Sequence, residues 1–186
     1  VADTAAVPTY VVERRDVLAP EHLEELYALY EAAFGGLRTR AAAKHVLSRE
    51  EFDEEMSDPR IDKYVAVAED GQILGLSTFT GDLVAVPWIS PEYYAHHYPE
   101  HTARRAVYYL GLTMVRPQWQ RGGVFEEMVA TIVRRLRAES AVCAWDMCRF
   151  NVEVTGLNDA IAGMLNASGG ADIATIDTQT YVAALF

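Results

Sequence analysis

Two cysteines, Cys143 and Cys148, are all the chain contains. That is too few for a disulfide framework or a four-cysteine zinc site, and their odd spacing would send them to opposite faces of a shared strand. Basic residues are also scarce, with 16 Lys and Arg against 27 Asp and Glu and a formal net charge of −11. A phosphate-backbone partner needs a net basic face, so this balance argues against nucleic acid. It favours a cationic small molecule or amine, and it also serves solubility. No apolar run approaches a membrane span, and no signal-peptide pattern opens the chain. We therefore expect a cytoplasmic protein with no membrane partner. Internal repeats and low-complexity tracts are missing too.

What is present is the composition of a globular protein, 51% hydrophobic and 23% charged. The 186 residues suffice for one domain, 1–186, with a real core. "TYVVERRDV" (9–17) reads as a strand. "APEHLEELYALYEAAFGG" reads as a helix with Pro20 in its first turn and Leu23, Leu26, Tyr27, Tyr30 and Phe34 on one stripe, ended by Gly35 and Gly36. Ser48 and Glu51 form a capping box that opens a second, acidic helix, stopped near "SDP". Residues 63–80 read as a hairpin turning at Asp70-Gly71. The connection 81–106 is long for a compact domain, which marks a lid or an edge.

"VYYLGLTMV" (107–115) is a buried strand, and a helix follows it with Phe125, Met128, Val129, Ile132, Val133 and Leu136 inward. "AVCAWDMC" (141–148) reads as another strand, 157–170 as a short helix, and "ADIATIDTQTYVAALF" as closing strands. The order β-α-α-β-β-β-α-β-α-β-β predicts an α/β domain with a mixed sheet flanked by helices.

Within "MVRPQWQRGGVFEEMV" (114–129), Gly122 and Gly123 stand at the mouth of the long helix. A strand–turn–helix unit aims unpaired amides and the positive helix end at one point, and glycine lets a ligand come close. Such a place suits phosphate, although a tight turn needing one glycine at positive φ reads equally well. No Lys-Ser/Thr follows the glycines, and the G-x-G-x-x-G of a dinucleotide fold is missing.

The turn resembles motif A of the GNAT acetyltransferase superfamily: a strand, V-x-P, then Q/R-x-x-G-x-G/A opening the central helix. Here these are Val115-Arg116-Pro117 and Gln120-Arg121-Gly122-Gly123-Val124-Phe125. The element order agrees over nearly the whole chain. Asn158 and Ala160 fill the places that open a weak motif B. The resemblance implies acetyl-CoA as co-substrate, with no metal. The amides of Arg121, Gly122, Gly123, Val124 and Phe125 would hold its pyrophosphate. The backbone of Thr113, Met114 and Val115 would pair with the pantetheine, and Asn158 would lie beside it. Two departures stand out: Phe125 replaces the usual Gly or Ala, and residues 164–168 lack the Tyr that protonates the leaving thiolate.

Acetyl transfer to an amine by direct attack needs a neutral amine, yet free alkylamines have a pKa of roughly 10.4. Three base candidates emerge: Tyr109, Asp146, and the histidines His96, His97 and His101 of the long connection. Tyr109 lies upstream of Val115, where several family members place a catalytic Glu, and it also reads as a packed aromatic. Asp146 interrupts a strand that disfavours Asp, so it either serves the reaction or pairs with an arginine or a backbone donor. Trp88, Tyr93, Tyr94 and His97 in the long connection, with Phe34 of the first helix, are the expected acceptor-binding residues. The alternative for that connection is a packed loop or a homodimer edge.

His97 and His101 have metal-like spacing, but Pro99 breaks the helix they would need. The acidic run from Glu50 to Glu55 reads as a solvated face, or as a patch that steers a cation. The expectation is an N-acetyltransferase acting on a small, cationic primary amine. The alternative is a GNAT-fold protein that binds acyl-CoA, or only dimerises, without transfer.

Overall fold

The computed structural model describes residues 8–186. Four antiparallel strands, β1 (Tyr10–Arg15), β2 (Asp62–Ala68), β3 (Ile73–Thr80) and β4 (Val107–Val115), form a sheet in chain order. A fifth strand, β5 (Val142–Ala144), adds to β4 in parallel. A parallel neighbour needs a crossover, which is helix α5 (Val124–Ala138). Two further helices, α1 (Pro20–Phe34) and α2 (Arg49–Ser57), cover the opposite face. The short α3 (Pro91–His97) and α4 (Pro99–Ala103) fill the long connection, and α6 (Leu157–Ala167) follows β5. This is the mixed sheet flanked by helices that the sequence predicts.

Local chemistry accounts for most boundaries. Pro20 occupies the first turn of α1, where a missing N–H costs nothing. Ser48 Oγ accepts from Glu51 N at 3.2 Å while Glu51 Oε2 accepts from Ser48 N at 2.8 Å, closing the capping box. Gly71 takes φ +85° at the β2–β3 turn. The two central strands are buried on both faces: Val65 and Leu76 meet α1 and α2, and Ala66 and Leu74 meet α5. Phe52 and Met56 of α2, both fully buried, anchor the first core, where truncating the ring would cost about 3–5 kcal/mol.

Three expectations need correction. The stretch 141–148 is a strand only as far as Ala144, so Asp146 lies beyond it, freed from the ladder to use its carboxylate elsewhere. Residues 171–186 form no strand and are exposed throughout; β-forming composition is insufficient without a neighbouring edge. Gly35 and Gly36 do not stop the chain's helical path, which tightens into a 3-10 turn over Gly35–Thr39.

Strand β4 is the irregular one. Ser77 pairs with Thr113 and Phe79 with Leu110, so β4 holds one more residue than β3 across this interval. The extra residue makes a bulge at Gly111 and Leu112. Leu112 N donates to Thr78 Oγ1 at 3.1 Å, and a Cβ on Gly111 would lie 2.3 Å from that same oxygen. Only glycine fits this close approach. Beyond Tyr109, β4 runs on without β5, because their pairing ends at Tyr109 and Ala144.

Candidate active site

The parting of β4 from β5 opens the sheet at the carboxyl ends of its two parallel strands, where α/β sheets place ligands. Along the free stretch of β4 runs a groove of about 280 Å³. Thr113, Met114, Val115, Gln120, Phe125, Ala33 and Phe34 line it, with Glu126 at its rim. Five of the residues expected to bind acetyl-CoA are therefore brought together. Phe34, expected at the acceptor, lines this groove together with Phe125.

Gly123 is the N-cap of α5 and takes φ +79°, the left-handed conformation that favours glycine. A Cβ there would meet no atom within 4 Å, so the space in front of it is open. No side chain caps α5. The amides of Val124, Phe125 and Glu126 begin the helix with no intrahelical partner, an arrangement fitted to an anion such as pyrophosphate. The Gly122 amide is already donated to Trp119 O at 3.0 Å, and Arg121 is an exposed turn residue beside it. The usable donors are thus displaced toward the helix relative to the expected set. Two carboxylates, Glu126 and Glu127, share that first turn and oppose an anion there. Asn158 opens α6, no residue of which is buried, and is not part of the groove lining.

At the other end of the free β4 stretch, Tyr109 and Asp146 meet. The Tyr109 phenol donates to Asp146 Oδ1 and accepts from Trp88 Nε1 at 2.9 Å. On the far side of the carboxylate, His45 Nδ1 lies 3.5 Å from Asp146 Oδ2. Burial, then the Asp146 charge, pushes the Tyr109 pKa far above the usual phenol range. A phenol so hard to ionise is a hydrogen-bond donor and no base. Asp146, with its side chain 45% exposed, keeps a face open to an incoming group.

His45 is absent from the sequence-derived candidates. Nothing in its local pattern marks it, since it reaches Asp146 only because the α1–α2 loop folds over the end of β5. That loop is held by Tyr30, whose oxygen accepts from Leu47 N at 2.9 Å and donates to His45 O at 3.5 Å. Burial raises the Tyr30 pKa to about 12, so the phenol stays neutral and in place.

The remaining candidates separate. Trp88 presents its N–H to the cluster rather than an apolar wall. Tyr94 is 7% exposed and packs with Val86, Val107, Tyr109 and Ala144 beneath the site, so it is core and not wall. The Tyr93 and His97 rings meet at 4.3 Å in a tilted arrangement on α3, with Tyr93 half-buried and His97 exposed. His97 and His101 fall on separate helices, and among the described residues no group of three metal-ligating side chains forms.

The acidic face of α2 also divides. Glu51 pairs with Lys44 and caps the helix, and Asp53 holds Arg49 at 2.8 Å. Glu55 turns inward beside Thr78, where burial raises its pKa despite Thr78 and Lys63 nearby. Glu50 and Glu54 stay on the surface.

No protein-family model matches the sequence, and no curated protein sequence matches it significantly. Solved structures do. An aminoglycoside acetyltransferase from an uncultured soil metagenomic sample, in complex with sisomicin, aligns over 94% of this chain and 97% of its own. The two are 15% identical with a TM-score of 0.52. A mutant of a Bacillus halodurans protein aligns over 94% and 99% at 13% identity with a TM-score of 0.56. A ribosomal-protein-alanine N-acetyltransferase from Brucella melitensis aligns over 94% and 99% at 13% identity with a TM-score of 0.50.

This is the GNAT fold. The strand–turn–helix that resembles motif A is formed by β4, the Pro117–Trp119 turn and α5, and the strands that part are β4 and β5. Among the described residues, no helix is long and apolar enough to cross a membrane.

Proposed function

We propose that the protein transfers the acetyl group of acetyl-CoA to a primary amine of a small, cationic acceptor. One observation carries this reading: the open stretch of β4 joins an uncapped, glycine-led helix start at one end to a carboxylate cluster at the other. At about 3.4 Å per residue, Tyr109 and Thr113 stand roughly 13 Å apart, a span suited to an extended arm laid along the strand. The amides at the start of α5 bind the pyrophosphate, and the free edge of Thr113–Val115 pairs with the arm.

The acceptor nitrogen attacks the thioester carbonyl directly, so a C–N bond forms and the C–S bond breaks. Asp146 and His45 hold the acceptor's ammonium and take its proton, leaving the lone pair free to attack. A carboxylate beside a histidine can do both, and Tyr109 with Trp88 fixes its orientation. A backbone amide of the free β4 stretch stabilises the developing oxyanion. The thiolate, like a free thiol of pKa about 8.5, is a tolerable leaving group and takes its proton from solvent. Glu55, turned inward beside the bulge, adds negative charge that favours a cation. The aminoglycoside acetyltransferase of the same fold supports an amine acceptor.

A second reading, acyl-CoA binding without transfer, is favoured by the missing tyrosine in residues 164–168. Steady-state thiol release in the presence of a mixed panel of mono- and polyamines separates the two. Transfer gives amine-dependent release, suppressed by salt because acceptor capture is electrostatic. Release no faster than hydrolysis with every amine, alongside tight acetyl-CoA binding, would establish the second reading.

A further inference from the structure

The groove along β4 has apolar walls and an acidic rim. Ala33, Phe34, Met114, Val115 and Phe125 supply the carbon, and Glu126 stands at the rim. Among the described residues that line it there is no cation. Its volume of about 280 Å³ falls just under the range of about 300–1,000 Å³ typical of small-molecule sites. That is room for a slender arm, and it leaves a nucleotide outside.

The charges around the mouth do not favour a nucleotide. Between Pro117 and Glu127 one basic residue, Arg121, stands against Glu126 and Glu127, all three exposed. Arg116, the cation just before this turn, is buried and committed. Its Nε donates to Ile73 O at 2.6 Å, and its Nη2 lies 2.6 Å from Glu25 Oε1. The amides that open α5 attract a phosphate, while the two carboxylates of the same turn oppose it. The formal charge of −11 adds a field against any polyanion.

A pantetheine arm meets the reverse. The Ser77 and Thr113 hydroxyls bond at 2.8 Å and hold β4 on β3, so the outer edge of Thr113–Val115 is fixed before a ligand arrives. Such an edge bonds amides laid along it, and the arm carries amides. Phe125 stands where motif A has Gly or Ala, and it lines the groove with Phe34. The replacement adds apolar contact for the arm at a place where loop amides usually meet phosphate.

We infer that the arm, and not the nucleotide, carries the donor's affinity, with Phe125 as the residue that determines this preference. The protein then takes thioesters of bare pantetheine about as well as those of coenzyme A. The inference rests on the donor site proposed above and names the part of the donor that it reads. The chemistry is unchanged with the shorter donor: a C–N bond forms, the C–S bond breaks, and pantetheine leaves as a thiolate that takes its proton from solvent.

Isothermal titration of the full chain with pantetheine and with coenzyme A, each as the free thiol and at two ionic strengths, tests it. The two Kd values should lie within about tenfold of each other. Coenzyme A should bind more tightly as salt screens the carboxylates, and pantetheine should be indifferent to salt. Phe125→Ala, folded by its circular dichroism, should weaken pantetheine about tenfold. Coenzyme A bound more than about tenfold tighter than pantetheine, or not tightened by salt, would overturn the inference and leave the donor site standing. So would a folded Phe125→Ala that binds pantetheine like the wild type. Binding of neither ligand to the wild type would overturn the donor site itself, and this inference with it.

Discussion

The Tyr109 phenol donates a hydrogen bond to Asp146 Oδ1, joining the last residue of β4 that pairs with β5 to the loop just past β5. The bond sits where the two strands separate, and His45 approaches the same carboxylate from the α1–α2 loop. Asp146 is the shared partner, so under the proposed mechanism its loss removes both the proton acceptor and the group that orients His45. Asp146→Asn should lower kcat/KM at least tenfold with the fold intact. Tyr109→Phe should cost less, since it removes orientation and not the base. His45→Gln should lower activity with the fold intact. The three variants compared in thiol-release kinetics check this order; a larger loss for Tyr109→Phe than for Asp146→Asn would place the proton acceptor elsewhere.

The glycine-led start of α5 is expected to bind acetyl-CoA. At a hundred times its Kd the ligand should stabilise the fold by about 2.7 kcal/mol, roughly 5–10 °C in Tm. Gly123→Asp places a carboxylate in the open space before the helix, and Asp tolerates positive φ better than most residues. The variant should fold and lose the shift, as differential scanning fluorimetry would show. A folded variant that shifts like the wild type would move the phosphate site.

Glu126 stands at the rim of the groove in the first turn of α5. There its charge favours the helix by a few tenths to about 1 kcal/mol but opposes an anionic ligand. Glu126→Gln should tighten acetyl-CoA about two- to fivefold at low salt, and the gain should shrink as salt screens it. Isothermal titration at two ionic strengths measures both effects.

Burial raises the pKa of Glu55, which turns inward from the α2 run. A carboxyl with a folded-state pKa above its unfolded value contributes stability fully present below about pH 4.3, and loses it as pH rises through the folded value. At neutral pH its charge is a cost. Glu55→Gln should therefore be more stable than the wild type at pH 7, with the advantage vanishing near pH 4, by chemical denaturation at each pH. If Glu55 also attracts the acceptor, the same variant raises KM for a cationic amine and leaves that for acetyl-CoA unchanged.

Much of this fold is written in local chemistry. Pro20, the Ser48–Glu51 box, the Asp70-Gly71 turn and Gly123 each specify a backbone conformation within a few residues, and each sits where its pattern placed it. Thr113, Met114, Val115, Gln120 and Phe125 share a groove because a strand and the helix after it are close in sequence as well as in space. The His45–Asp146 pair has no such signature, for it depends on two loops meeting across the sheet.

Asp146 was a legible anomaly, yet periodicity could not tell an interrupted strand from one that had ended at Ala144. The burial of Tyr94 and the use of Trp88 as a donor likewise depend on how the connection 81–106 folds back onto β4. Residues 171–186 show the converse: strong β composition, realised only where an edge is within reach.

The central claim is that the start of α5 and the Asp146 cluster act on one transferred acetyl group. The most direct measurement follows product by mass spectrometry after mixing protein, acetyl-CoA and a panel of polyamines, for the wild type, Gly123→Asp and Asp146→Asn. The account expects an amine product heavier by one acetyl group with the wild type, and at least tenfold less with either variant under subsaturating substrates. No acetylated amine from the wild type, or equal yields from all three proteins, would contradict it.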